Sequence, residues 1–244
     1  MILLVREDRE FLCEPGTELH TDLGVVDVPT DPDPGQVVDS HLGDSFVVQS
    51  LRGPDLFNHL ERTGAPMIPK DIGVLIAHTG VGTGDTILDA GTGTGVLAAA
   101  LGRLGAAVIT YERDPEFAAT ARQNMATASV TDAVEVRARD ITEDLDRLED
   151  RSFDVITLDT EDAPTVVAAA PRLLVPGGFL AVYSPFVEHA RKVAETATEA
   201  GLDEVETVET MQRRMDFDDR GSRPTTAAVG HTGYLTFARF RPTP

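Results

Sequence analysis

The sequence predicts an α/β protein: a Rossmann-like, mostly parallel seven-stranded sheet with helices on both faces, preceded by a small β domain. Three observations predict it. From about residue 70, short apolar runs alternate with helix-like segments, the order that builds parallel sheets. A glycine-rich run, Gly91-Thr92-Gly93-Thr94-Gly95, joins the first of these strands to a helix. Residues 1 to about 52 have another texture, in which short apolar runs are separated by turn-forming residues.

In the first region, Ile2–Val5, Gly24–Val28 and Phe46–Leu51 read as strands, with the clearest break at Thr30-Asp-Pro-Asp-Pro-Gly35. The expected domains are residues 1–60 and 61–244. In the second, Lys70–Thr79 reads as a helix, Thr86–Ala90 as a buried strand, Thr94–Leu104 as a helix and Ala107–Glu112 as a strand. Asp114 and Pro115 are a good cap and first residue for a helix to about Ser129. Val134–Ala138 and Phe153–Asp159 follow as strands; the second is continuously apolar, as a central strand should be. A helix over Ala163–Leu174 stops at Pro176-Gly177-Gly178. Phe179–Tyr183 is a strand and Val187–Ala200 a helix, and the segments near Glu204–Thr210 and Tyr234–Phe240 can pair as an antiparallel edge.

Composition narrows the setting. The 244 residues carry 41 acidic and 21 basic side chains, a net charge of −20, and only Lys70 and Lys192 among the basic residues are lysine. A hydrophobic share of 41% argues against disorder. An acidic, lysine-poor globular chain resembles proteins of salt-accumulating halophiles, where molar salt shortens the Debye length to roughly 3 Å and tolerates self-repulsion. Cys13 is alone, which fits a reducing compartment. With no secretory or membrane-spanning pattern, the expected location is cytoplasmic. The six histidines lack metal-binding spacing, so no metal is expected.

The sharpest motif is Asp89-Ala90-Gly91-Thr92-Gly93-Thr94-Gly95. Glycines there let the backbone approach a ligand closely. The dinucleotide fingerprint is G-x-G-x-x-G, whereas here Val96 occupies the last glycine's slot and an acid ends the strand. A carboxylate in that place repels a pyrophosphate but suits the α-ammonium of S-adenosylmethionine (SAM). Glu112 ends the second strand, where an acid can accept from ribose hydroxyls, and Asp140 follows the third, placed for an adenine amino group. Any one of these acids alone reads as a solvated strand end; three beside a glycine loop favour SAM. The expected cofactor-binding set is Asp89, Gly91, Thr92, Gly93, Gly95, Glu112, Arg113, Asp140 and Asp159.

Four segments then resemble a particular family, the tRNA adenine-N1-methyltransferases that modify the T-loop. Pro69-Lys70-Asp71-Ile72-Gly73 resembles its Tyr-Pro-Lys-Asp block, and Leu158-Asp159 ends a strand where the family has an Asp-x-Pro-x-Pro-Trp-like motif. Val182-Tyr183-Ser184-Pro185 resembles its Val-Tyr-x-Pro strand end. Gly230-His231-Thr232-Gly233-Tyr234-Leu235 with Ala238-Arg239 resembles its Gly-His-Thr-Gly-Phe-Leu…Ala-Arg signature. The resemblance covers most of the chain. The chain departs from the pattern at Ala65 (usually Gln), Ile68 (usually Tyr), His189 (often Gln) and around Asp159, where the tryptophan and first proline are missing.

The resemblance implies methyl transfer from SAM to N1 of a T-loop adenine, at position 57 or 58, by a homotetramer. It makes Asp159 the expected catalytic carboxylate. Methylating N1 turns a neutral base into a cation, which a carboxylate at the base edge stabilises. The target must be extruded from folded tRNA. Phosphate contacts are expected from Arg213, Arg214, Arg220 and Arg223, with Arg62 and Lys70 as further candidates, and stacking from Tyr234 and Tyr183. Asp216, Asp218 and Asp219 are interleaved with those arginines, so an ion-paired surface or subunit contact is the competing reading. His231 is expected to pack and hydrogen-bond rather than catalyse. Two rivals stay open. Gly64-Ala-Pro-Met67 with Lys70 loosely resembles SAM enzymes acting on corrinoid precursors or protein carboxylates. A non-catalytic RNA-binding subunit of the same fold is the other.

Overall fold

A computed structural model of the chain describes residues 1–226 and 230–242. Its contacts divide it into two compact units, one made of Met1–Leu60 with Ala126–Ser129, the other of the remaining described residues from Glu61 onward.

The first unit contains β1 (Ile2–Arg6), β2 (Arg9–Cys13), β3 (Glu18–Thr21), β4 (Gly24–Asp27), β5 (Val37–Asp39), β6 (Ser45–Ser50) and α1 (Gly53–His59). β2-β1-β6-β5 form an antiparallel sheet and β3-β4 a two-stranded ribbon. Leu4, Cys13, Val26, Val28, Val38, Phe46 and Val48 make the core. Sequence reading finds β1, β4 and β6 but misses β2, β3 and β5. Those three are short and mostly half-exposed, so they lack a continuous apolar run. It also misses α1, although Pro54 stands in its first turn and the Asp55 carboxylate accepts from the Arg52 amide at 2.6 Å.

The second unit holds α2 (Pro69–Thr79), β7 (Thr86–Ala90), α3 (Val96–Arg103), β8 (Ala107–Glu112), all but the last two residues of α4 (Pro115–Thr127), β9 (Val134–Ala138) and α5 (Ile141–Asp144). β10 (Phe153–Leu158), α6 (Ala163–Leu173), β11 (Leu174–Ser184), α7 (Val187–Glu199) and β12 (Asp203–Glu209) follow. Last come β13 (Met215–Asp218), β14 (Gly221–Pro224) and β15 (Tyr234–Arg239). The central sheet has the order β12-β15-β11-β10-β7-β8-β9. Only β15 runs against its neighbours, inserted between β11 and β12. The seven-stranded, mostly parallel sheet is thus the expected one.

Local chemistry sets the boundaries. α2 begins at Pro69 and ends on left-handed Gly80. Asp114 Oδ1 accepts from the Glu116 amide at 2.8 Å, capping α4 as expected. α3 starts at Val96 rather than Thr94, because Gly93 and Gly95 sit at φ 51° and 82°, outside the helical region. Pro176-Gly177-Gly178 does not separate helix from strand; it lies inside β11, which begins at Leu174. The helix ends earlier because Val175 precedes a proline and is pushed toward extended backbone. Between Phe153 and Val155 the β10–β11 register shifts to absorb the Pro-Gly-Gly segment. The β13–β14 hairpin was not anticipated, since its residues are polar or isolated and all are exposed.

Candidate active site

β8 and β9 extend the sheet from β7 on one side, while β10 and β11 extend it on the other. The chain therefore reverses its strand order between β7 and β10, and ligands of such sheets bind at the carboxyl ends there. A cavity of about 510 Å³ opens at that place, lined by Ala65, Gly91, Gly93, Glu112, Arg113, Phe117, Asp140 and Asp159 among others. A smaller one of about 90 Å³ is lined by Thr63–Met67, Asp89, Thr92, Thr94 and Asp159 among others. Gly91 and Asp159 line both.

Gly91 is the tightest point. It sits at φ +88°, and a Cβ there would overlap the Asp159 carbonyl. The Gly91 and Asp159 amides donate to the Tyr111 and Ala90 carbonyls at 3.0 and 2.8 Å, which stitches the strand ends together. Gly95 lines neither cavity. Its φ of +82° starts α3, and its missing Cβ makes room for the Met125 methyl. Its part is in packing the loop, not in lining the ligand space.

Asp89 is buried, and each of its oxygens accepts a threonine hydroxyl: Thr157 on Oδ1 and Thr110 on Oδ2, both at 2.5 Å. With Thr110's only proton directed at Asp89, the Thr92 hydroxyl donates to Thr110 at 2.5 Å. Thr110 and Thr157 are Asp89's direct neighbours in register on β8 and β10. Sequence reading passed over both, although each is a hydroxyl inside an otherwise apolar Val-Ile-Thr run, and a buried hydroxyl demands a partner. Glu112 accepts from the Gly93 amide at 2.9 Å and the Asp114 amide at 3.0 Å, which pins the glycine loop to the second strand end. Asp140 caps α5: its Oδ1 takes both the Thr142 amide and hydroxyl, which lowers its pKa. Arg113 is exposed and pairs with Glu161 at 2.8 Å and Asp162 at 3.5 Å.

These acids repel one another. The Asp159 carboxyl is pushed up to about 7, by burial first and by Asp89 second. Asp89 is raised too, burial outweighing its threonine bonds. The folded chain holds the Asp159 proton more tightly than the unfolded chain does. This group therefore favours folding at low pH, and the contribution is lost as pH rises through about 7. Ligand-free Asp159→Asn protein should lose less stability than the native chain between about pH 5.5 and 7.5, by roughly 1–2 kcal/mol. Thermal melts across that window check this; parallel curves would mean Asp159 titrates in the ordinary carboxylate range.

Beyond Asp159, two of the motifs that carry the family resemblance meet. The Lys70 ammonium donates to Asp71 Oδ1 at 2.6 Å and to Thr232 Oγ1 at 2.8 Å, and the Thr232 hydroxyl donates to Asp71 Oδ2 at 2.9 Å. The Lys70 side chain is 9% exposed, so it is not the outward phosphate contact expected of it. Tyr183 donates its hydroxyl to the Thr232 carbonyl at 2.5 Å. His231 lies between Glu209 at 2.6 Å and the Pro185 carbonyl at 3.0 Å, and these two acceptors raise its pKa, the carbonyl first. Tyr234 is half-buried, its ring 4.9 Å from that of His231. Arg62 is exposed, as are Arg213, Arg214, Arg220 and Arg223, which lie on or beside the β13–β14 hairpin and line neither cavity described above. Arg220 pairs with Asp218 at 3.3 Å, and Arg223 is the register partner of Asp216.

Residues 53–221 match the model of a family described as the tRNA methyltransferase complex GCD14 subunit. The chain is also 32% identical to tRNA (adenine(57)-N(1)/adenine(58)-N(1))-methyltransferase TrmI of Methanocaldococcus jannaschii, covering all of this chain and 95% of that one. The chain belongs to this family. Solved structures agree on the GCD14-family fold. A SAM-dependent O-methyltransferase of Thermotoga maritima superposes with a TM-score of 0.83 at 27% identity, covering 100% of this chain and 93% of the other. The tRNA (m1A58) methyltransferase TrmI of Aquifex aeolicus does so at 0.78 and 23%, covering 99% and 97%. The fold is that of a Rossmann-like class I methyltransferase. Members of the GCD14 family use SAM, and the site fits it. The four carboxylates Asp89, Glu112, Asp140 and Asp159 around a glycine cradle suit a cation carrying an ammonium and a sulfonium, and would repel a dinucleotide's phosphates.

Proposed function

We infer that the protein is a SAM-dependent tRNA adenine-N1-methyltransferase acting at T-loop position 57, 58 or both. The observation that carries this is the end-to-end match to an enzyme named for adenines 57 and 58. The carboxylate Asp159, standing at the switch point where both cavities meet, supports it.

SAM supplies a methyl group made electrophilic by a sulfonium. Gly91 and Gly93 give it backbone-close space, Glu112 receives ribose hydroxyls, and Asp140 receives the adenine amino group. Arg113 borders that end. Asp89, through Thr92, Thr110 and Thr157, fixes the loop and presents negative charge toward the ammonium. Asp159 holds the edge of the target adenine and stabilises the positive charge that spreads over the ring as N1 gains the methyl. It does so as the anion, so its raised pKa must fall when a cation enters beside it.

Arg213, Arg214, Arg220 and Arg223 are proposed phosphate contacts, with Tyr234, at the start of β15, a proposed stacking surface. Reversing the charge of Arg213 and Arg214 together should raise the tRNA Michaelis constant roughly tenfold with little change in turnover; an unchanged constant would assign the pair to another surface. The exposed Met211, Met215 and Phe217 on the same arm support association into a homotetramer. Among the described residues, no helix is long and apolar enough to cross a membrane. A cytoplasmic enzyme working in concentrated salt is the setting proposed from composition.

The test is to incubate the protein in high potassium chloride with labelled SAM and an unmodified tRNA transcript, beside transcripts altered at adenines 57 and 58. Label lost when one adenine is replaced names the target. SAM binding with no transfer to tRNA would redirect the search to small molecules, protein carboxylates or a purely RNA-binding role.

A further inference from the structure

We propose that Lys70 is a positioning residue for methyl transfer: with Asp71 it clamps Thr232, and through Thr232 it fixes Tyr183 as the wall beside Asp159. This rests on the reading of the site given above.

The network is closed and local. Lys70, Asp71 and the Thr232 hydroxyl form a triangle with sides of 2.6, 2.8 and 2.9 Å. The chain positions it joins are about 160 apart, so the triangle ties the start of α2 to the segment entering β15. The Thr232 carbonyl then receives the Tyr183 hydroxyl at 2.5 Å. Gly233 lets the segment lie against the Tyr183 ring, where any Cβ would overlap ring atoms. Tyr183 ends on the reacting side: Val182 is the parallel register partner of Leu158, which puts Tyr183 level with Asp159 at the strand ends, and burial, Asp71 and Asp159 together push its hydroxyl up to about 12.

The chemistry asks for lysine. Of 21 basic residues only two are lysines, in a chain that otherwise uses arginine throughout. Lys70 is the buried one, its side chain 9% exposed against an Asp71 side chain at 2%. A compact ammonium places its donors around a single point, which suits a carboxylate and a hydroxyl that converge there, whereas a guanidinium spreads its donors over a larger rigid plane. A buried ion pair of this kind contributes little net stability, because desolvation offsets the attraction. Its more natural return is a fixed geometry, and a misplacement of about 1 Å at a reacting centre can cost a hundredfold in rate.

Thr232 separates positioning from bulk packing. Thr232→Val keeps the shape and loses the hydroxyl; Thr232→Ser keeps the hydroxyl and loses a methyl. Turnover on tRNA and SAM affinity should be measured for native, Thr232→Val, Thr232→Ser and Lys70→Met proteins. The expected result is a turnover loss of roughly ten- to a hundredfold in Thr232→Val, rescue in Thr232→Ser to within a few-fold, and SAM affinity unchanged in both. Lys70→Met should behave as Thr232→Val or fail to fold, since it strands Asp71; the threonine pair decides in either case. Native turnover in Thr232→Val, an equal loss in Thr232→Ser, or a loss confined to SAM affinity would each overturn the role. A native protein that binds SAM but methylates no tRNA would instead overturn the functional reading, and this role with it.

Discussion

Replacing Asp159 with alanine is expected to cut methyl transfer to tRNA by roughly 10²–10³-fold while SAM still binds, the size of effect seen when one preorganised group facing developing charge is removed. The backbone should survive the change, because the Asp159 amide, not its side chain, bonds the Ala90 carbonyl at 2.8 Å. SAM affinity should move far less than turnover. Losing the carboxylate removes an attraction but also removes its repulsion with Asp89 and the burial that pushes its pKa to about 7. Single-turnover rates beside equilibrium SAM binding separate the two quantities. Near-native turnover in a variant that binds SAM would reduce Asp159 to a loop residue.

Replacing Gly91 with alanine should act on the other quantity. The new Cβ would overlap the Asp159 carbonyl, and a φ of +88° is one that alanine adopts only under strain. The left-handed penalty alone is about 1–2 kcal/mol, and the overlap forces apart two strand ends at the proposed cofactor cradle. SAM affinity is expected to fall by roughly a hundredfold or more, a change of about 2.7 kcal/mol, read by calorimetric titration. Gly95→Ala is the control. It carries a similar backbone penalty at φ +82° but meets the flexible end of Met125. It should cost stability and spare most SAM binding. If both variants bind SAM as the native chain does, the loop is not the cofactor cradle.

The second unit was legible because its strands announce themselves. Val134–Ala138, where apolar and charged residues alternate at the sheet edge, and Thr86–Ala90 and Ala107–Glu112, apolar runs stopped by an acid or a turn, all have the bounds expected. Parallel strands buried on both faces leave that signature. The first unit shows why the rest was harder. β3 alternates exposed and half-buried residues over four positions, too few for a period to stand out. In the site, the acids at strand ends were visible because position and charge coincide. The threonines that hold Asp89 were not, because their meaning depends on register, which a single sequence does not display. Lys70 was misread for the same reason: a lysine near a glycine loop looks like a phosphate ligand until Thr232 is found beside it.

The placement of β15 bears on how the chain is made. β12 is complete by residue 209, yet its partner β15 begins only at Tyr234. Until then β11 offers one open edge and β12 has nothing to pair with. During synthesis from the N-terminus, the sheet therefore waits for its last strand and slots it into the middle of an existing layer. The same segment delivers Thr232 to Lys70. A chain released a few dozen residues early would have a complete glycine loop and all four carboxylates but an unpaired sheet edge, prone to aggregate. The wall proposed beside Asp159 would also be missing. Closure of the sheet and assembly of the proposed wall are thus one event, which waits until β15 has been translated.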